Sequence, residues 1–203
     1  MMKKSFFMRT YNFNIYLMLF SLLTGFLGWS LSFLASTLDL TLPIALDLSQ
    51  VNSYLAMGSH YAYMAMSYLL GTLFASVTLE VLNRIRFDNL FNYFKSIYHT
   101  FKLRNFLTQR EKSEKITTID HQTITTYNPI NGSFNRCAHK SVVDIQKDEV
   151  TVFIKVPRDQ QGQKVLGDMT SQLKEEVSSQ HLDYYFSAPN RVRNSLWLVG
   201  KRR

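Results

Sequence analysis

Between Thr10 and Asn83 the chain carries no lysine or arginine, and its only carboxylates there are Asp39, Asp47 and Glu80. This leaves two uncharged segments, Tyr11 to Leu38 and Leu48 to Leu79, separated by a short turn that holds Asp39, Pro43 and Asp47. Each exceeds the roughly 20 apolar residues a helix needs to cross about 30 Å of hydrocarbon. The pattern predicts a two-helix transmembrane hairpin over residues 1–79, and whatever follows is held at a membrane surface.

Of the 23 basic residues, Lys3, Lys4 and Arg9 precede the first span and all the others follow the second. Basic residues stay on the cytoplasmic side. The expected protein is therefore multi-pass in the cell's inner (plasma) membrane, with both termini cytoplasmic and the turn at Pro43 outside. The single cysteine, Cys137, has no partner for an internal disulfide, which suits a reducing compartment. A cleaved signal peptide is the alternative for the N-terminus. Its apolar region would be about half as long as this one, and the second span follows too soon after Leu34, Ala35 and Ser36.

The first span has Phe6, Phe7, Tyr11, Phe13 and Tyr16 at its entry, and of these Tyr11, Phe13 and Tyr16 are expected to fix its depth at the headgroup level. Ser21, Gly25 and Gly28 share one helical face, and the second span supplies Gly58, Ala62, Ala65, Gly71 and Ala75. Small residues allow close backbone approach, so Gly25, Gly28, Gly58, Ala62, Gly71 and Ala75 are the expected helix-packing positions, within the hairpin or in a larger membrane complex. His60 stands near the outer end of its span among Tyr54, Tyr61, Tyr63 and Tyr68, where interfacial hydrogen bonding suits it better than a proton path.

Over residues 80–107, Phe87, Leu90, Phe91, Phe94, Ile97, Tyr98 and Phe101 recur every three or four residues. This predicts a juxtamembrane amphipathic helix. Arg84, Arg86, Lys95, Lys102 and Arg104 fall mostly off the aromatic stripe and are the expected lipid-headgroup contacts, each adding about 1 kcal/mol near an anionic leaflet. Docking of the same face on a partner or on the tail domain is the competing expectation. Residues 108–140, with a charged run from Arg110 to Lys115, a threonine-rich patch and turn signals at Asn128 Pro129 and Asn131 Gly132, read as a polar linker. Cys137 and His139, with Asp120 and His121 upstream, lack the four-ligand spacing of a structural zinc site.

Residues 141–203 read as a small α+β cytoplasmic domain of ββαββ order. Val143 and Ile145 lead through a Lys147 Asp148 turn into Val150, Val152, Ile154 and Val156, an alternating strand closed by Pro157. A helix is expected from about Gln163 to Ser179, with Leu166, Met169, Leu173 and Val177 on one face and Gly167 packed against a strand. Tyr184 to Phe186 and Leu196 to Val199 form a strand pair around a Pro189 Asn190 turn.

No phosphate-binding Gly-rich loop ending in Lys-Ser/Thr, no serine elbow and no paired-histidine zinc motif occurs, so the reading is of a non-enzyme without cofactor or metal. Arg191 and Arg193 beside Trp197 could contact nucleic acid or a partner. Against nucleic acid, the segment from Ser141 holds ten basic and eight acidic residues, a net +2, whereas residues 84–140 hold ten and four, a net +6 beside the membrane.

Two N-terminal spans with cytoplasmic ends and a small soluble domain after them resemble, in architecture only, the membrane anchor of type IV secretion (conjugation) coupling proteins, without their ATPase domain. The resemblance implies a separate anchor subunit that recruits a soluble ATPase. The expected function is a membrane adaptor that binds membrane lipids and a cytoplasmic protein partner. A membrane-tethered nucleic-acid binder and a small channel or transporter subunit are the alternatives.

Overall fold

The computed structural model describes residues 3–41, 49–109, 115–117, 123–125 and 129–203. The turn at Pro43, the charged run 110–114, and Asp120 and His121 lie outside the described residues. The chain divides into two compact units, Arg9–Leu82 and a second made of Asn83–Arg203 with Met1–Met8.

The first unit consists of most of helices α1 (Phe6–Thr41) and α2 (Ser49–Phe87). Both are long and apolar enough to cross a membrane, and only 17% and 6% of their most apolar windows are buried. The helices pack against each other antiparallel. A Cβ added at Gly25 would stand 2.8 Å from Met66 Sδ, at Gly28 it would stand 3.2 Å from the Tyr63 ring, and at Gly58 it would stand 3.3 Å from Leu31 Cδ1. Ala62 is buried in the same seam. Gly71 and Ala75, by contrast, are exposed, and nothing lies within 4 Å of a Cβ at Gly71. These two expected packing positions therefore take no part in the hairpin contact. Leu23, Phe26, Phe33, Tyr54, Tyr68 and Phe74 point outward and are mostly uncovered.

The second unit is α+β and larger than the expected 141–203 domain. It contains α3 (Leu90–Leu107), strands β1 (Lys115–Thr117) and β2 (Thr123–Thr125), α4 (Pro129–Ala138), β3 (Val142–Ile145), β4 (Glu149–Lys155), α5 (Gln160–Gln180), β5 (Tyr184–Phe186), β6 (Asn190–Val192) and β7 (Ser195–Arg202). β1 and β2 pair antiparallel with Ile116 opposite Ile124, and the other five strands form an antiparallel sheet. Its order is β3-β4-β7-β5, and β6 shares the free edge of β7 with β5. The expected turn at Asn190 is therefore the first residue of an additional strand. The tight β6–β7 connection turns at Arg193, whose φ of 53° is the only positive value on a non-glycine residue among the described residues.

One face of the sheet carries Val143, Ile145, Val150, Val152, Ile154, Val156, Leu196 and Leu198 into a core closed by Leu103 and Leu107 of α3, Phe134 and Ala138 of α4, and Leu166, Leu173 and Val177 of α5. Residues 108–140 are thus not simply a linker. Pro129 opens α4, a first-turn position where a missing N–H costs nothing, and Phe134 and Ala138, four apart, bury one face of it. On the opposite face of the sheet Phe153 and Trp197 meet edge to face at 5.1 Å, with Lys4 Nζ 3.6 Å above the Phe153 ring. Phe7 and Met8 are buried and belong to this unit, with Phe7 edge-on to Tyr93 at 5.6 Å.

α5 begins where Asp159 caps the Gly162 N–H at 2.8 Å. Gly162 sits so close to this cap that a Cβ would meet Asp159 Oδ2 at 2.5 Å. Gly167 faces open space, contrary to the expected strand contact.

Candidate functional site

Helix α3 organises the chemistry of this unit. Its inner face carries Ser96, Thr100 and Arg104 at four-residue steps of about 6 Å, close to the roughly 6.6 Å between alternate residues of a strand. Those steps run along the free edge of β3. Ser96 Oγ accepts the Ile145 N–H at 2.9 Å. Thr100 Oγ1 accepts the Val143 N–H at 2.9 Å and donates to the Val143 carbonyl at 3.2 Å, and Arg104 Nε donates to the Ser141 carbonyl at 2.9 Å. An edge strand that would otherwise present unpaired backbone groups is capped by helix side chains.

Arg84, in the last turn of α2, completes the edge by donating to the Ile145 carbonyl at 2.6 Å, to Asp88 at 2.7 Å and to Asp144. Asp88 also accepts the Asn92 side-chain amide at 2.7 Å and the Lys147 N–H at 2.9 Å. Arg84 and Asp144 are buried. Arg84 is therefore committed to the domain interior, and Arg104 to Ser141, which removes both from the expected headgroup set. Desolvating an arginine requires such partners, and here they are two carboxylates and a carbonyl.

The opposite face of α3 is uncovered. Phe91, Phe94, Tyr98 and Phe101 of α3 are each more than 60% exposed, as is Phe87 at the end of α2, and Lys95 and Lys102 flank the α3 rings on one side. The expected amphipathic helix is present over Leu90–Leu107 only, since residues 80–87 belong to α2, and it is amphipathic twice over. A hydroxyl-rich face serves the sheet, and an aromatic face serves nothing else in this unit.

At the N-terminal end of α3 lies a cavity of about 770 Å³, walled by the start of α3, the β3–β4 turn, the C-terminal end of α5 and the outer ends of β5 and β7. Lys95, Lys147 and Arg202 line it, together with Asp88, Asp183 and the rings of His99 and His181, whose centroids are 4.3 Å apart with their planes inclined by 42°. His99 Nδ1 donates to Gln180 Oε1 over 3.2 Å. His181 is nine-tenths buried, touches Tyr184 and Phe186, and has no hydrogen-bond partner for its ring among the described residues. Burial, and then the neighbouring His99, Lys102 and Lys95, push the His181 imidazole down to about 4. Burial also lowers His99, partly offset by its bond to Gln180. Burial raises the Tyr184 phenol.

The remaining expected residues are not brought together. Trp197 is 5% exposed and packed on Phe153, so it offers no face on which a base could stack. Arg191 bonds Gln163 Oε1 at 2.8 Å, and Arg193 stands exposed at the hairpin tip. Cys137 is half-buried in α4, and among the described residues no three His, Cys, Asp or Glu side chains converge. The cavity escaped sequence reading because its histidines lie 82 positions apart, on elements joined only by the fold. Comparison with protein-family models, with curated proteins and with solved structures gives no match.

Proposed function

We propose that the protein is a non-enzymatic membrane anchor and adaptor, whose α1–α2 hairpin spans the inner membrane and whose α+β unit recruits a cytoplasmic protein. The observation that carries this reading is the apolar surface of two long helices left largely uncovered, joined in sequence to a separately packed domain. Such a surface is untenable in water and ordinary in lipid. The basic residues on either side of the spans support cytoplasmic termini. The aromatic face of α3, with Lys95, Lys102 and Arg86 beside it, fits the headgroup boundary of the inner leaflet. The likeness to the anchors of coupling proteins is the reason to look first for an ATPase of a conjugation or secretion assembly as the partner. The buried Trp197 weighs against nucleic-acid binding.

The test is crosslinking in native membranes followed by mass spectrometry, comparing the full chain with one ending at Leu82. A cut after Lys140 would split the core between α3, α4 and the sheet, and would report unfolding instead of recruitment. A cytoplasmic protein captured only by the full chain is the expected result. Identical partners for both chains would remove the α+β unit as the recruiting element.

A further inference from the structure

We propose that the cavity at the start of α3 is a binding site for a phosphate group, and that an anionic phospholipid headgroup is its source. The inference rests on the membrane-surface reading only for that source. Three cations, Lys95, Lys147 and Arg202, line one cavity, and none of them has a carboxylate partner among the described residues. Of the two carboxylates in the wall, Asp88 is already neutralised by Arg84 and occupied by Asn92 and the Lys147 N–H, which leaves Asp183 as the one opposing charge. The N-terminus of an 18-residue helix forms part of the same wall, and its dipole favours an anion.

A second, independent feature points the same way. His181 is nine-tenths buried and unpartnered, lines the cavity, and can donate a ring N–H to an oxygen placed there. His99 packs against it with its ring plane tilted and is held by Gln180. A ring that lines the cavity and has no protein partner among the described residues leaves its N–H free for a ligand oxygen. The rim supplies the argument for a lipid. Ile85, Leu90 and Leu182 line the cavity and are themselves 63%, 38% and 74% exposed, a greasy border where acyl chains can lie beside a bound headgroup.

The probe is water-soluble dihexanoyl phosphatidylglycerol, with inorganic phosphate in a parallel arm. Each is titrated into the full chain in neutral detergent while the histidine ring signals are followed by NMR. Saturable shifts of His99 and His181, with His60 and His139 unmoved, are expected. The doubly substituted Lys147→Gln, Arg202→Gln chain should bind about tenfold more weakly or worse, and Lys164→Gln, on exposed α5 surface, should bind normally. Because Lys147 and Arg202 are exposed, the ligand-free spectrum of the double variant should match the parent and so certify its fold.

Tighter binding of the lipid than of phosphate supports the headgroup as the source. Equal binding keeps the phosphate site and overturns its lipid source. No shift at either histidine, or an unchanged affinity in the double variant, overturns the site. Alkaline carbonate extraction of native membranes is scored separately: release of the chain would refute the membrane reading while leaving the phosphate titration interpretable.

Discussion

Single residues carry several consequences of this fold. Gly167 lies in α5 with nothing within 4 Å of where a Cβ would stand, so its helix-interior penalty of about 1 kcal/mol has no packing return. Gly167→Ala should therefore raise stability by about 1 kcal/mol, read from the urea midpoint of Trp197 fluorescence in a Trp29→Phe background. The opposite holds at Gly200, where a Cβ would come within 2.7 Å of the Phe186 ring. His181 gives a pH signature. Its folded-state value near 4 lies below the ordinary 6.5, so the unfolded chain binds the proton more readily. The stabilising effect of a neutral His181 is complete above about 6.5 and is lost as pH falls towards 4. His99 is shifted in the same direction. Unfolding free energy should decline across that window, and His181→Leu should flatten the decline; an unchanged slope would contradict the buried, neutral assignment.

At the scale of elements, α3 explains both what the sequence disclosed and what it concealed. The recurrence of Phe91, Phe94, Tyr98 and Phe101 every three or four residues marks an amphipathic helix, and a helix is there, although Phe87, read as part of the same stripe, ends α2 instead. What pattern reading could not supply was the second face. Ser96 and Thr100 are polar and give no sign of burial in the sequence, yet both are fully buried because they bond the edge of β3. The same limit hid the role of Arg84, since charge alone does not distinguish a headgroup contact from a buried ion pair. The strand-strand-helix order after Ser141 was legible because the alternation in Val150 to Val156 and the recurrence of Leu166, Met169, Leu173 and Val177 are local signals, whereas the cap at Asp159, which starts α5 three residues before the expected Gln163, was not read. α4 was not, because Asn131 and Gly132 look like a turn until Phe134 finds a core. Thr100→Val keeps the shape but strands the Val143 N–H, so it should cost about 1 to 3 kcal/mol in the same urea assay. A loss below about 0.5 kcal/mol would mean the helix is not the cap of that edge.

In the whole molecule an apolar hairpin is joined in sequence to a folded unit that carries an aromatic helix face and a cation-lined cavity. The uncovered apolar side chains of α1 and α2 and the absence of basic residues between Thr10 and Asn83 are the observations behind the proposed topology. That topology is tested most directly by cysteine accessibility. In a Cys137→Ser background, single cysteines are placed by Ala45→Cys, in the segment between the helices, and by Lys164→Cys, on exposed α5 surface. Intact spheroplasts are then treated with a membrane-impermeant maleimide. The account predicts that Ala45→Cys labels at once and that Lys164→Cys labels only after the membrane is permeabilised. Labelling of Lys164→Cys in intact spheroplasts, or protection of Ala45→Cys until permeabilisation, would contradict it.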